Sequence, residues 1–468
     1  MEQVWLENVW AMLDGDPSLL ERVGTAGPVG LLPAVHPVGA LATVSVAACT
    51  LAVAELGARR SGGAVPEVGV DRLEAAAAFR SEALLRAVGW TLPPVWDPLA
   101  GDYRAADGWV RLHTNYAAHR DAALRALDLP PDADAEAVAR RVAELPAQEV
   151  QERVVSDGGC AAVLYTAQEW AAHPHGSAAA GQRPVTLLRS GPSRPAPSVR
   201  PGLSVSVDGE DLPLAGIRVL DLTRVIAGPV ATRVLAAWGA DVLRIDPPGF
   251  AEVPVLLPET TVGKRCAALD LRSAAGRDRF AELVGRADVV VHGLRPGAMD
   301  GLGLGAEELR RLNPEVCLAA VDAYGWAGPW ASRRGFDSLV QFSCGIAAAG
   351  RSGSGRPVPL PAQALDHATG YLLAAGICRG LSGRFEGLPP AEVRAALVGT
   401  ANLLTGEPDD PTRPATRPEE LAAVLVERDT AWGPVLGVGP PGRIAGRPGR
   451  WVVPAGPLGR HEPRWTAG

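Results

Sequence analysis

The stretch from Ile217 to Asp246 restricts the fold more than any other part of this 468-residue chain. "IRVLDL" is a short apolar run closed by polar residues, the pattern of a buried strand. "VATRVLAAWGA" has helical spacing and reaches a glycine at Gly239, and "DVLRID" follows as a second strand. Such a β-α-β unit requires parallel strands joined by a right-handed crossover. The alternation continues with "CAALDL" and "DVVVHG" as strands around the helical "RDRFAELVGRA". A helix in "AEELRRLNP" and a strand in "VCLAAVDAYG" complete it. The expected class is α/β, with a Rossmann-like doubly wound parallel sheet as the large domain.

The first half is patterned differently. "DGWVRLHTNY" predicts a strand, followed by helical "YAAHRDAALRALDL" and "DAEAVARRVAELPAQEVQERVVSDG", which together suggest a smaller α+β domain. Pro/Gly/Ser-rich stretches at Ser190, Gly350 and Thr405 mark connections. The expected division is 1–84, a helical segment; 85–190, the small domain; 191–211, a linker; 212–404, the sheet domain; and 405–468, a C-terminal tail.

From Val38 to Ala54, "VGALATVSVAACTLAVA" carries no charge and approaches bilayer-spanning length. Its Ala, Val, Thr and Ser side chains gain little from lipid, so a buried core helix is the expectation and no membrane partner is assigned. A net charge of -7 and a pI near 5.7 argue against a nucleic-acid surface. The six cysteines are scattered without a C-x-x-C pair, which points to reduced thiols, a cytoplasmic setting and no metal site. The acidic N-terminus lacks the basic region of a signal peptide.

Among candidate sites, the glycines of "GLGLGAEEL" lack the spacing and context of a dinucleotide fingerprint and read as a turn before a helix. "DLTRVIAGPVATRVL" is more informative. It runs from a strand end at Asp221 and Thr223 into a helix opened by Ala227, Gly228 and Pro229. Ligands of α/β sheets bind beyond the carboxyl ends of strands, where small residues admit a bulky molecule and helix N–H groups meet anions. Arg224, Lys264, Arg265 and Arg295 are each ordinary surface charges taken singly. Grouped, they could hold a multiply phosphorylated ligand. Asp366 opens an apolar helix, "ALDHATGYLLAAG", where it could serve as a cap or as a carboxylate kept ionised by the helix dipole. A similar segment, "ALATVSVAACTLA", begins at Ala40 and carries Ala42 in the aspartate's place.

These residues resemble a known family. "PLAGIRVLDLTRVIAGPVATRVLAAWGADVLRIDPPG", "GKRCAALDLRSAAGRDRFAELVGRADVVVHGLRPGAMDGLGL", "LNPEVCLAAVDAYGWAGPWASRRGFD" and "ALDHATGYLLAAGICRGL" occur in the order seen in class III CoA-transferases, the CaiB/BaiF family. The resemblance is continuous from about Leu212 to Leu381. It implies the class III CoA-transferase type of sheet domain, an acyl-CoA substrate with a small carboxylic acid acceptor, and an interlocked homodimer. It also implies Asp366 as the nucleophile, forming an aspartyl anhydride and then a thioester. Arg224, Val225, Ala227, Lys264, Arg265, Arg295 and Gly335 would lie around coenzyme A. "VGVDRLEAAAAF", "DGWVRLHTNYAAHRDAAL", "GGCAAVLYTAQEWAAHPHG" and "WVVPAGPLGRHEP" are similar to the family's later parts. The chain thus reads as a trimmed tandem duplication in shuffled order, with one aspartate for one site.

Departures keep alternatives open. Pro247 stands where many relatives carry a basic residue, and the glycine-rich loop of some transferases has no counterpart. α-Methylacyl-CoA racemases of the family carry His where this chain has Phe336, which cannot move a proton. A racemase-like isomerase and a non-catalytic CoA-binding remnant are the competing readings.

Overall fold

A computed structural model describes residues 1–191, 206–207, 210–350, 355–406 and 418–466. Most of the expected linker 191–211 lies outside the described residues, as do parts of the Gly350 and Thr405 connections.

Seven strands form the main sheet: β1 (Val185–Arg189), β2 (Arg218–Leu222), β3 (Asp241–Asp246), β4 (Lys264–Ala268), β5 (Val289–His292), β6 (Cys317–Asp322) and β7 (Ala391–Ala396). Their order is β4-β3-β2-β5-β6-β7-β1. The first six are parallel, and β1 adds antiparallel at the β7 edge. The strand order reverses between β2 and β5, the switch point at which doubly wound sheets open a crevice beyond their carboxyl ends. The mixed α/β architecture with a large parallel sheet agrees with the class read from the sequence.

Two boundaries differ from expectation. Residues 85–190 are not a closed unit, because β1 belongs to the large sheet and Arg86–Ala87 pairs with Val435–Val438 of the tail. What remains is a small antiparallel sheet of Gly101–Arg104, Trp109–Leu112 and Ala161–Val163 with its own core around Val110, Val138 and Val154. The N-terminal 84 residues do not stand apart either. The Val38–Ser61 helix packs along the Ala364–Ser382 helix, and Val68–Asp71 pairs with Arg443–Ile444.

The Ala364–Ser382 helix is the axis of the core. All 19 of its residues are buried, as expected of a helix apolar all round. Glycines let it approach the sheet and the Ala227–Ala237 helix closely. A Cβ at Gly376 would sit 2.5 Å from Val393 Cγ1, and one at Gly370 2.5 Å from the Ala227 carbonyl. Its one buried cation, Arg379, pairs with Glu55 of the Val38–Ser61 helix at 2.6 Å and donates to the Leu13 and Asp14 carbonyls. That pair fixes the two helices in register, since a slip would leave both charges buried and uncompensated. The Val38–Ser61 helix has the length and composition to cross a membrane, yet 89% of its most apolar window is buried in the fold.

Candidate active site

β2 ends on a knot of polar side chains. Asp221, fully buried, accepts from Thr223 N, from the Thr223 and Thr232 hydroxyls and from Lys264 Nζ at 3.0 Å. Burial works against its charge, but Lys264 and Arg244 outweigh it and hold the carboxyl below the usual range. The knot forces the chain to turn sharply. Val225 adopts φ 65°, disfavoured for a β-branched residue, and its N–H donates to Glu252 Oε2 at 3.2 Å. The Ala227–Ala237 helix begins immediately after, and Gly228 is required because a Cβ there would lie 2.2 Å from Thr223 Cβ.

At this carboxyl edge Arg224 lies over the Phe250 ring at 3.8 Å, with Asp246 at 3.9 Å. Arg295, on the loop after β5, is exposed and has no ion pair among the described residues. Arg224, Val225, Ala227 and Arg295 therefore lie at this carboxyl edge, near the switch point. Two expected phosphate contacts do not. Lys264 is fully buried in its pair with Asp221, so its ammonium braces the turn and cannot reach a ligand. Arg265, the second residue of β4, bonds Asp241, the first residue of β3, and the Arg464 carbonyl, which places it at the opposite edge. Sequence proximity to a strand could not tell its start from its end. Gly335 is a packing glycine, where a Cβ would sit 2.4 Å from Ala323 Cβ and 2.8 Å from the Tyr324 ring.

The Asp366 helix starts at the same carboxyl edge, since Gly370, one turn on, abuts Ala227. The cap reading fails: Gln363 is the N-cap residue, and the Asp366 carboxylate makes no hydrogen bond among the described residues. Its backbone N–H donates to Asp337 Oδ2 at 2.9 Å. Asp337 also accepts from Gln341, whose Oε1 in turn accepts from Leu360 N at 2.7 Å. Burial pushes Asp337 up to about 6. Burial, and then the charges of Asp337 and Glu82, push Asp366 well above the usual carboxyl range. The dipole-stabilised carboxylate expected from the sequence is thus overridden by burial and like charge. A buried carboxyl with no compensating partner has a functional signature. His367 points away, to Glu82 at 2.8 Å and the Phe79 ring.

The small sheet supplies the opposite wall. His113 stacks on Phe336 with ring centres 3.7 Å apart, and burial lowers its pKa to about 3, which keeps the ring neutral. The Tyr116 hydroxyl donates to Glu252 Oε1. The small module and the sheet domain of one chain thus meet beside Asp337 and the Val225 turn. Asp337, His113, Tyr116 and Glu252 were not singled out from the sequence. The "GFD" triplet held the signal for Asp337, whereas nothing local marks Glu252.

A cavity of about 980 Å³ lies elsewhere, between the Ala274–Val284 helix and the tail. Three of its five arginines are held by the tail's backbone: Arg265, Arg279 and Arg460 donate to the carbonyls of Arg464, Pro463 and Pro454. The chemistry favours the surroundings of Asp366 instead. Among the described residues no group of three or more His, Cys, Asp or Glu side chains is arranged to hold a metal.

Residues 214–408 match the model of CoA-transferase family III. The probable fatty acyl-CoA transferase Rv3272 of Mycobacterium tuberculosis is 35% identical over 182 residues, covering 36% of this chain and 46% of that protein. A formyl-CoA:oxalate CoA-transferase of Bradyrhizobium diazoefficiens is 30% identical over 203 residues, covering 41% and 48%. A crystal structure of Rv3272 aligns with TM-score 0.39 at 34% identity, covering 42% of this chain and 57% of that one. The chain spans about half the length of the curated relatives it matches.

Proposed function

We propose, from the match of residues 214–408 to the model of CoA-transferase family III, that the chain moves coenzyme A from an acyl-CoA to a carboxylic acid with Asp366 as nucleophile. The observation that carries this reading is the buried Asp366 carboxyl, unbonded among the described residues, at the sheet edge that also bears Arg224 and Arg295.

Once Asp366 has lost its proton, a carboxylate oxygen attacks the donor thioester carbonyl, forming a mixed anhydride and expelling the coenzyme A thiolate. The thiolate attacks the aspartyl carbonyl, releasing the donor acid and leaving an aspartyl thioester. The acceptor carboxylate attacks that carbonyl, expelling the thiolate again and forming a second anhydride. Thiolate attack on the acceptor's carbonyl then yields the new acyl-CoA and frees Asp366. Each exchange replaces one hard step by easier acyl transfers. Arg224 and Arg295 would hold phosphates, the backbone from Val225 to Ala227 would face the pantetheine arm, and remote binding would keep the thioester over the carboxylate. No metal is required by this scheme.

Phe336 stacked on neutral His113 gives the cleft an apolar wall, which favours an apolar acyl group over a dicarboxylate. The same phenylalanine disfavours the racemase reading, which needs a second acid/base. Six free, buried cysteines support a reducing, cytoplasmic setting. A homodimer is proposed as the assembly. Mass spectrometry of acyl-CoA donors mixed with carboxylic acids tests the activity: a new acyl-CoA supports it, and none across fatty, formyl, oxalyl and succinyl donors opposes it.

A further inference from the structure

We propose that Tyr116 is a positioning residue that, through Glu252, fastens the strained Val225 turn bordering the coenzyme A crevice. The inference rests on the reading of that crevice given above.

Val225 is a β-branched residue held at φ 65°, a conformation that persists only where its surroundings impose it. Part of the imposition is visible. The Val225 N–H donates to Glu252 Oε2 at 3.2 Å, and Arg244 Nη2 donates to the same oxygen at 3.1 Å. Arg244 is itself forked onto Asp246 at 2.8 and 3.1 Å, so the anchoring carboxylates are paired and buried. The other oxygen, Glu252 Oε1, accepts from Val253 N at 3.0 Å and from the Tyr116 hydroxyl.

Tyr116 comes from a different module, at the start of the Ala117–Ala126 helix beside the small sheet. Its ring lies 6.2 Å from that of Phe250, beneath Arg224, and 6.4 Å from that of Phe336, which precedes Asp337. It therefore stands between the arginine side of the cleft and the aspartate side. The phenol is the last donor to complete Glu252. Without it, one oxygen of a buried carboxylate loses a charge-assisted bond, and Glu252 is free to shift from Val225. Docking of the small module and shaping of the coenzyme A turn become one event.

The test compares the parent protein, Tyr116→Phe and Glu252→Gln. Coenzyme A affinity is measured by calorimetry, and amide exchange at Val225 is measured in the ligand-free protein. The expected result for both variants is at least a tenfold loss of affinity together with faster exchange at Val225. Equal affinity and unchanged Val225 exchange would overturn the proposal. Lost affinity with unchanged exchange would also overturn it, because Tyr116 would then touch the ligand directly. Should the parent bind no coenzyme A, the reading of the crevice fails, and the Val225 exchange arm still decides whether Tyr116 holds the turn.

Discussion

The backbone N–H of Asp366 donates to the Asp337 carboxylate at 2.9 Å, which ties two buried acids into one site. Gln341 and the backbone stabilise Asp337 as an acceptor, whereas the Asp366 side chain has only solvent-poor surroundings and like charge. Of the two, Asp366 is the group whose ionisation is most resisted and whose carboxylate, once formed, is least stabilised. That combination suits a nucleophile.

The same strain sets a pH dependence of stability. Because burial and the neighbouring acids raise its folded-state pKa, native Asp366 keeps a proton that the unfolded chain releases. Its contribution is intact below the unfolded carboxylate pKa of about 4 and is lost as pH rises through the raised folded value. Asp366→Asn removes this titration. The variant should melt higher than the parent at pH 8 and alongside it near pH 4. A variant less stable at pH 8 would show that the carboxylate is a structural support.

Arg224 and Lys264 should separate ligand binding from folding. Arg224→Ala and Arg295→Ala should each weaken coenzyme A by about 1.5–3 kcal/mol, the worth of a charge-assisted phosphate contact, with little change in melting. Lys264→Met leaves buried Asp221 without its ammonium and should cost about 3 kcal/mol of stability. Calorimetry and denaturant titration distinguish the two patterns. Lost affinity in a Lys264→Met protein of parental stability would return Lys264 to the ligand site.

Ala42 tests whether the repeated segment retains a function. It is wholly buried in the Val38–Ser61 helix, and neither the Val225 turn nor Asp337 serves that helix. Ala42→Asp should therefore destabilise by about 3–5 kcal/mol, as for an uncompensated buried charge. It should give no acyl transfer in an Asp366→Asn background. Transfer recovered in the double variant would mean that a second site exists.

The parallel sheet was legible because "IRVLDL", "DVLRID" and "DVVVHG" are largely buried strands whose apolar runs need no partner to be recognised. The edge strand at Val185 was not, since its pairing with β7 spans some two hundred residues of sequence and leaves no local trace. Asp366 could be singled out from its segment, but its environment could not: burial and the approach of Asp337 arise only when two helices meet. Arg265 misled for a related reason, because a basic residue beside a strand carries no sign of which sheet edge it will reach. The Tyr116–Glu252 contact joins modules 136 residues apart and belongs to tertiary structure alone.

The most direct test is covalent trapping on Asp366. The protein is incubated with acyl-CoA donors, quenched with hydroxylamine, digested, and the peptide containing "ALDHATG" is weighed by mass spectrometry. An anhydride or thioester at Asp366 is converted to a hydroxamate, so the account predicts a mass increase on that residue that needs the donor. It should be absent from Asp366→Asn, although that variant still binds coenzyme A. An unmodified Asp366 in a protein that visibly turns over its donor, or the same adduct in Asp366→Asn, would contradict the assignment of the nucleophile.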